Sequence, residues 1–285
     1  MKKAISVAVL SLLILALGYF ANRSNLSGSE AANPAASSTE KLVLTGSSTV
    51  APLAAEIGKR FESRHPKVRI DVQTGGSSRG VNDARSGLAD IGMASRALKP
   101  DEAELRGFTI ALDGISIILN AANPLTTLDK QQIIDIFTGN ITNWNELGGH
   151  DAPITVVNKA EGRSTLELFL HYFDLKNTDI KAQVVIGDNQ QGIKTVAGNP
   201  DAIGYVSVGA AEYEAGHAVA IKLLPLDGIE ASVENVRNSR FPLSRPLNLV
   251  TKTEPGGVAK AFIDFAGSAE VNDLIEAQYF VPVAH

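Results

Sequence analysis

A turn type that occurs three times constrains this chain more than any other feature. The apolar run Leu42-Val43-Leu44 leads into Thr45-Gly46-Ser47-Ser48-Thr49-Val50 and then a helical run, Ala51 to Phe61, with Pro52 in its first turn. Val68 to Gln73 leads into Thr74-Gly75-Gly76-Ser77-Ser78-Arg79-Gly80 and a polar helical stretch through Leu88. Ile154 to Asn158 leads into Lys159-Ala160-Glu161-Gly162-Arg163-Ser164-Thr165 and then Leu166 to Phe173. Strands alternating with helices predict an α/β fold with mostly parallel sheets. The first N–H groups of each helix have no internal partner, and the helix dipole makes that end electropositive. Ser and Thr hydroxyls add donors without adding charge. Brought together, such turns form a cage suited to a tetrahedral oxyanion.

The bulk properties narrow the choice of ligand and compartment. A net charge of -5 over 285 residues argues against a nucleic-acid surface, so an anion is held by local donors. Cysteine is absent, which excludes disulfides, thiolate metal sites and a lipid anchor on an N-terminal cysteine. Lys2 and Lys3 followed by the apolar run from Ala4 predict an export signal or membrane anchor over 1–21. The Ser-, Ala- and Asn-rich stretch 22–40 reads as a disordered tether. The folded part is expected outside the cytoplasmic membrane, touching it only through an uncleaved N-terminal segment.

Further along, Ala89 to Arg96 reads as a short buried strand ending in a fourth hydroxyl-plus-Arg turn, Ser95-Arg96. Phe108 to Asn120 reads as a central strand interrupted by Asp113-Gly114. Asp129 caps a helix through Phe137, and Trp144 is expected to pack in the core. Strands follow at Val184 to Ile186, Ala202 to Ser207 and Leu247 to Thr251, with helices near 190–197, 258–267 and 269–277.

Competing readings exist for the same residues. Ser48, Thr49 and Ser77 could simply cap helices, and Arg79, Arg96 and Arg163 could face solvent. Gly76-Ser77-Ser78-Arg79-Gly80 satisfies Gly-x-Ser-x-Gly between a strand and a helix, the setting of a hydrolase nucleophile at Ser78. Its partners are poor: His150 and His217 lie in Gly-flanked loops, His171 is mid-helix and His285 is terminal. Nucleotide-binding glycine motifs and metal-ligand spacings are both missing, so no cofactor is expected.

Taken in order, these markers resemble the PstS-like phosphate-binding proteins of ABC transporters: Gly46 to Val50, Gly76 to Gly80, Asp113-Gly114-Ile115, Ile136 to Gly139 with Ile141 to Trp144, Ile203 to Val206, Phe241 to Leu247 and Tyr279 to Val283. The resemblance implies a two-lobe type II periplasmic binding fold, with lobe one at 41–117 and 247–285 and lobe two at 118–246. Two crossover strands, Ile115 to Asn120 and Pro246 to Leu249, serve as the hinge. It implies a monomer that binds inorganic phosphate without catalysis and delivers it to the permease subunits of a transporter. By position Thr49, Ser77 and Thr165 match the family's hydroxyl contacts, with Ser48, Ser78, Ser95 and Ser164 beside them. Two departures stand out. Lys159 occupies the place of the family's lobe-two Arg, so Arg163 is expected to supply the guanidinium. Arg96 stands where the family carries an Asp that accepts the proton of hydrogen phosphate, and Asp113 is the candidate to replace it. Without such an acceptor, rejection of sulfate weakens and the protein becomes a broader oxyanion receptor. A sensor or adhesion protein on the same fold is the other alternative.

Overall fold

The computed structural model describes residues 39–283. The expected signal segment, and the tether up to Ser38, lie outside the described residues. No helix among the described residues is long and apolar enough to cross a membrane.

Among the described residues ten strands form one mixed sheet in the order β2-β1-β3-β9-β4-β7-β5-β6, with β8 and β10 also pairing β4. On one flank β1 (Glu40–Gly46) lies parallel to β2 (Val68–Thr74) and to β3 (Ile91–Ala94). On the other flank β5 (Thr155–Lys159) lies parallel to β6 (Val184–Ile186) and β7 (Ala202–Ser207). Between them run β4 (Arg106–Asn120) and β9 (Ser244–Thr251), antiparallel to each other. The parallel pairings therefore sit at the flanks, where helical crossovers join the strands. The antiparallel pairings belong to the two strands that carry the chain out and back.

β4 is the member that ties the flanks together. Its first part, Arg106 to Gly114, pairs β9, and its second, Ile115 to Leu119, pairs β7. The interruption expected at Asp113-Gly114 is absent: Asp113 pairs Arg245 and Gly114 pairs Ser244 without a break. Gly114 serves packing here, since a Cβ would meet Val208, Phe241 and Val236 at 2.9–3.1 Å. The irregularity in β4 falls earlier, between Thr109 and Ala111.

Each flank has its own apolar interior. Leu44, Leu53, Ile57, Ile91, Leu249 and Phe262 belong to one core, and Ile117, Phe137, Trp144, Phe169, Tyr205 and Phe241 to another. Ile118, the neighbour of Ile117, points to the opposite face and packs with Val157, Val196 and Val206. A strand covered on both faces is mostly apolar, which accounts for Ile115, Ile117, Ile118 and Leu119. The one polar member, Ser116, is buried with its Oγ donated to the Ile117 carbonyl at 2.8 Å. Trp144 is fully buried, with its indole N–H donated to the Asp201 carbonyl at 3.1 Å.

The helices cover these faces in the sequence order already read: α1 (Ala51–Arg64), α2 (Ser77–Ser86), α3 (Lys130–Thr138), α4 (Ser164–Phe173) and α5 (Asn189–Gly198). Then come α6 (Val208–Gly216), α7 (Val233–Arg237), α8 (Gly257–Ala266) and α9 (Asn272–Ala277). β8 (Ile221–Leu223) and β10 (Val281–Pro282) add short antiparallel pairings to β4.

Candidate functional site

The turns meet. β1 ends at Gly46 with φ +131°, where a Cβ would lie 2.4 Å from the Met93 carbonyl oxygen and 2.8 Å from Gly80 Cα. Only glycine lets β1, β3 and α2 approach this closely. Gly76 plays the same part across the two flanks. Its φ is +95°, and a Cβ would come within 2.6 Å of the Gly162 carbonyl oxygen. Ser78 N–H donates to that oxygen at 3.2 Å, so the α2 turn is seated on the α4 turn.

The starts of α2 and α4 and the end of β3 contribute a buried triangle of hydroxyls. Ser77 Oγ donates to Ser164 Oγ at 3.0 Å, Ser95 Oγ lies 2.6 Å from Ser164 Oγ, and Ser47 Oγ donates to Ser95 Oγ at 3.0 Å. The helix-capping reading of Ser48 and Thr49 passes to Ser47, whose Oγ accepts from the Thr49 and Val50 N–H groups at 3.2 and 3.3 Å. Thr49 is thereby left to face inward, accepting from Asn189 Nδ2 at 3.1 Å. Ser48 is half-buried and lines a neighbouring cleft of about 600 Å³ with Asp188, Asn189, Gln190 and Tyr213.

At the centre stands Arg245, a residue that sequence reading quoted only as part of a marker. It is 2% exposed. Its Nη1 donates to Thr165 Oγ1 at 2.9 Å and to Ser95 Oγ at 3.4 Å, and its Nη2 reaches Thr49 Oγ1 at 3.4 Å. One guanidinium thus touches hydroxyls from β3, from the turn before α1 and from α4. Asp113 holds it from behind: Oδ2 accepts from Arg245 Nε at 3.1 Å and Nη2 at 2.8 Å. Asp113 Oδ1 accepts from Ser207 Oγ at 2.9 Å and Gly209 N–H at 3.2 Å. Asp113, expected to offer an acceptor to an anion, instead faces Arg245 and has both oxygens engaged.

Two other expectations shift as well. Arg96 does not join the hydroxyls; it is buried in a two-pronged pair with Glu102 at 2.7 and 2.8 Å. Its two Nη groups are engaged there and by the Ala97 carbonyl, while its Nε makes no hydrogen bond among the described residues. Arg163 is half-buried at the entry to α4, with its side chain against Gly76 and Gly187. It makes no hydrogen bond to the cage hydroxyls among the described residues, and its Nε is buried without a partner.

Lys159 and Asn189 form a second layer that sequence reading set aside or missed. Lys159 is 3% exposed, and its Nζ donates to Asn189 Oδ1 at 3.1 Å. That contact fixes which way the Asn189 amide points, and so which end donates to Thr49. Burial, followed by the charges of Arg245 and Arg163 and only partly offset by Asp188, pushes the Lys159 ammonium down to about 7.

Among the described residues the hydrolase arrangement is not assembled around Ser78, and His285 lies outside them. Its Oγ donates to Glu167 Oε1 at 2.8 Å. The ring nitrogens of His65, His150 and His217 bond elsewhere, to Phe61, Asp201 and Tyr213.

Comparison with known proteins accords with this geometry. Residues 31–270 match the family model described as the PBP superfamily domain. The phosphate-binding protein PstS of Bacillus subtilis is 30% identical over 269 residues, covering 92% of this chain and 87% of its own. A phosphate ABC transporter substrate-binding protein from Clostridium perfringens, solved with bound phosphate, is 35% identical with a TM-score of 0.79, covering 86% of this chain and 100% of its own. An ABC-type phosphate transport receptor from Vibrio cholerae is 29% identical with a TM-score of 0.71, covering 85% and 100%. The chain belongs to the PBP superfamily, in its PstS-like branch, and has the type II periplasmic binding fold.

Proposed function

We propose that this chain captures inorganic phosphate between its two lobes and hands it to an ABC transporter outside the cytoplasmic membrane. The observation that carries this reading is the convergence of Thr49, Ser95 and Thr165 on one guanidinium, Arg245, with Ser77 and Ser164 beside them. A dianion entering this cage exchanges its hydration shell for hydroxyl and guanidinium donors. In a buried site such charge-assisted bonds are stronger than in water. The helix N-termini behind Ser77 and Ser164 favour negative charge at the same point.

Capture is hinge closure. The expected lobe boundaries, 117/118 and 246/247, fall inside β4 and β9, the two strands that carry the chain between the flanks. Turning about them separates Ser77 and Ser95 from Ser164 and Thr165, and returning reassembles the cage. The protein performs no catalysis, works as a monomer, and in its closed form docks on permease subunits. The N-terminal segment sets whether it is free or tethered.

A broader oxyanion receptor is the second reading, favoured by the placement of Asp113. A carboxylate saturated by Arg245, Ser207 and Gly209 does not meet the ligand, so nothing at Asp113 repels a fully ionised anion. Calorimetry on the ligand-stripped chain separates the readings. Tight phosphate binding is expected, with sulfate competing measurably. No phosphate binding sinks the first reading, and sulfate excluded by more than about a thousandfold (~4 kcal/mol) sinks the second.

A further inference from the structure

Three of the cage hydroxyls, on Ser77, Ser95 and Thr165, have a chain neighbour that takes part in a second, separate cluster. Ser78 follows Ser77, Arg96 follows Ser95, and Glu167 follows Thr165 by two residues on the same turn of α4. These neighbours meet one another. Glu167 Oε1 accepts from Ser78 Oγ at 2.8 Å. Glu167 Oε2 lies 2.8 Å from Lys99 Nζ and 3.1 Å from Arg96 Nε, both ion pairs off the hydrogen-bond direction and so Coulombic contacts.

The parts on the first lobe are preset. Glu102 grips the far edge of the Arg96 guanidinium and also accepts from Lys99 N–H at 2.9 Å. Arg96 therefore presents its Nε edge without having to be ordered afterwards. Ser78, Arg96 and Lys99 make a socket, and the second lobe supplies one carboxylate to fill it. Burial works against the charge on Glu167, yet the adjacent Lys99 ammonium, the Ser78 hydrogen bond and the Arg96 charge hold its carboxyl below the usual carboxylate range.

We infer that Glu167 is the clasp of the closed form: it joins the lobes through Ser78, Arg96 and Lys99, touches no ligand, and sets how long a captured anion stays. This rests on the phosphate-capture reading. The clasp and the cage share the first turn of α4, so they engage in one motion. On opening, Glu167 and Lys99 return to water, which keeps the gain from closing small enough to reverse. The presence of Arg at position 96 is then explained by its role in closure and not by contact with the anion.

Release of radiolabelled phosphate from the full chain, chased with unlabelled phosphate, tests this. Glu167→Gln keeps the Ser78 hydrogen bond and loses both ion pairs. It is expected to release phosphate about tenfold faster, with the association rate within about twofold of the original. Lys99→Met changes a half-exposed side chain that the fold does not depend on, and is expected to speed release about threefold. Glu167→Asp restores part of the slow release. Phosphate binding with release unchanged in both variants overturns the clasp alone. Failure of the unaltered chain to bind phosphate overturns the capture reading and the clasp with it.

Discussion

Two buried arginines, Arg245 and Arg96, stand in this molecule with nearly equal burial, at 2% and 3% exposed. Arg245 has one carboxylate partner, Asp113, which occupies Nε and Nη2 and leaves the opposite edge turned to Thr165 and Ser95. Arg96 has two, Glu102 on its Nη pair and Glu167 at its Nε. A guanidinium with one carboxylate is held in place and still offers donors to an incoming anion. One flanked by two carboxylates has no charge left to offer. What an arginine does in the interior is set by how many carboxylates surround it, which the side chain's own chemistry does not reveal.

The largest effect is expected from removing the arginine of the cage. Arg245→Met should lower phosphate affinity by more than about a hundredfold, and it leaves Asp113 charged and unpaired. Stability should fall by about 3–5 kcal/mol. Arg96→Met orphans Glu102 and should cost a similar ~3–5 kcal/mol, yet lower phosphate affinity no more than about tenfold. Denaturant titration and calorimetry on both variants check the contrast. Equal losses of affinity would break the comparison.

The same pair shows where the sequence was legible. The strand-turn-helix phrases located Thr49, Ser77, Ser164 and Thr165, because a turn between a strand and a helix presents its residues at the sheet's carboxyl edge whatever surrounds it. Arg245 gave no such signal. It lies within β9, where a strand places alternate residues on opposite faces and the sequence does not say which face holds the ligand. Ser95-Arg96 has the look of a binding turn, but the partner that neutralises Arg96 comes from a short 3₁₀ turn, Pro100–Glu102, six residues further along the chain at Glu102. Asn189 follows β6 in a turn without Gly-Ser chemistry of its own, capped by Asp188. The helices α6 and α7 and strand β8 went unassigned: α6 has Gly209, Ala210 and Ala211 near its start and little contrast between its faces, and the others are five residues or fewer. Asp113-Gly114 misled in the opposite direction. The pair is a common turn signal, but here the glycine makes room for Val208 and Phe241 beside an unbroken strand.

Lys159 sharpens the comparison as a third buried cation, one with no carboxylate in contact. Its ammonium is pushed down from 10.5 to about 7. The folded state therefore holds fewer protons than the unfolded chain between those values, and stability rises with pH across that window. Below about 7 both states are protonated, and the burial penalty is present in full and constant. Lys159→Met should flatten this rise and stabilise the anion-free protein by a few kcal/mol at pH 6, on the order set by the shift. Unfolding midpoints of the two proteins from pH 6 to 10 measure it. A parallel pH dependence in both would mean that the lysine keeps its proton.

Among the hydroxyls the expected effects are smaller and graded by position. Ser164 sits between Ser77 and Ser95 on the path between the lobes. Ser164→Ala removes one donor and leaves two buried hydroxyls short of a partner, so phosphate affinity should fall about tenfold, or ~1.4 kcal/mol.

Ser48 offers the finest test of the boundary between cage and cleft. It was read as a ligand residue on the same grounds as Thr49, from which it differs by one position. Both residues line the cleft, but the turn before α1 separates their hydroxyls: Ser47 takes the capping bonds, Thr49 turns inward to Asn189 and Arg245, and Ser48 bonds none of the cage residues. A half-buried hydroxyl in contact with water loses little when removed, because water replaces its hydrogen bonds. Ser48→Ala should leave phosphate affinity within about twofold, whereas Thr49→Val should reduce it several-fold while keeping the side-chain volume. Calorimetry on the two variants decides the matter. A loss at Ser48 as large as that at Thr49 would mean that the anion is held farther out in the cleft, away from Arg245.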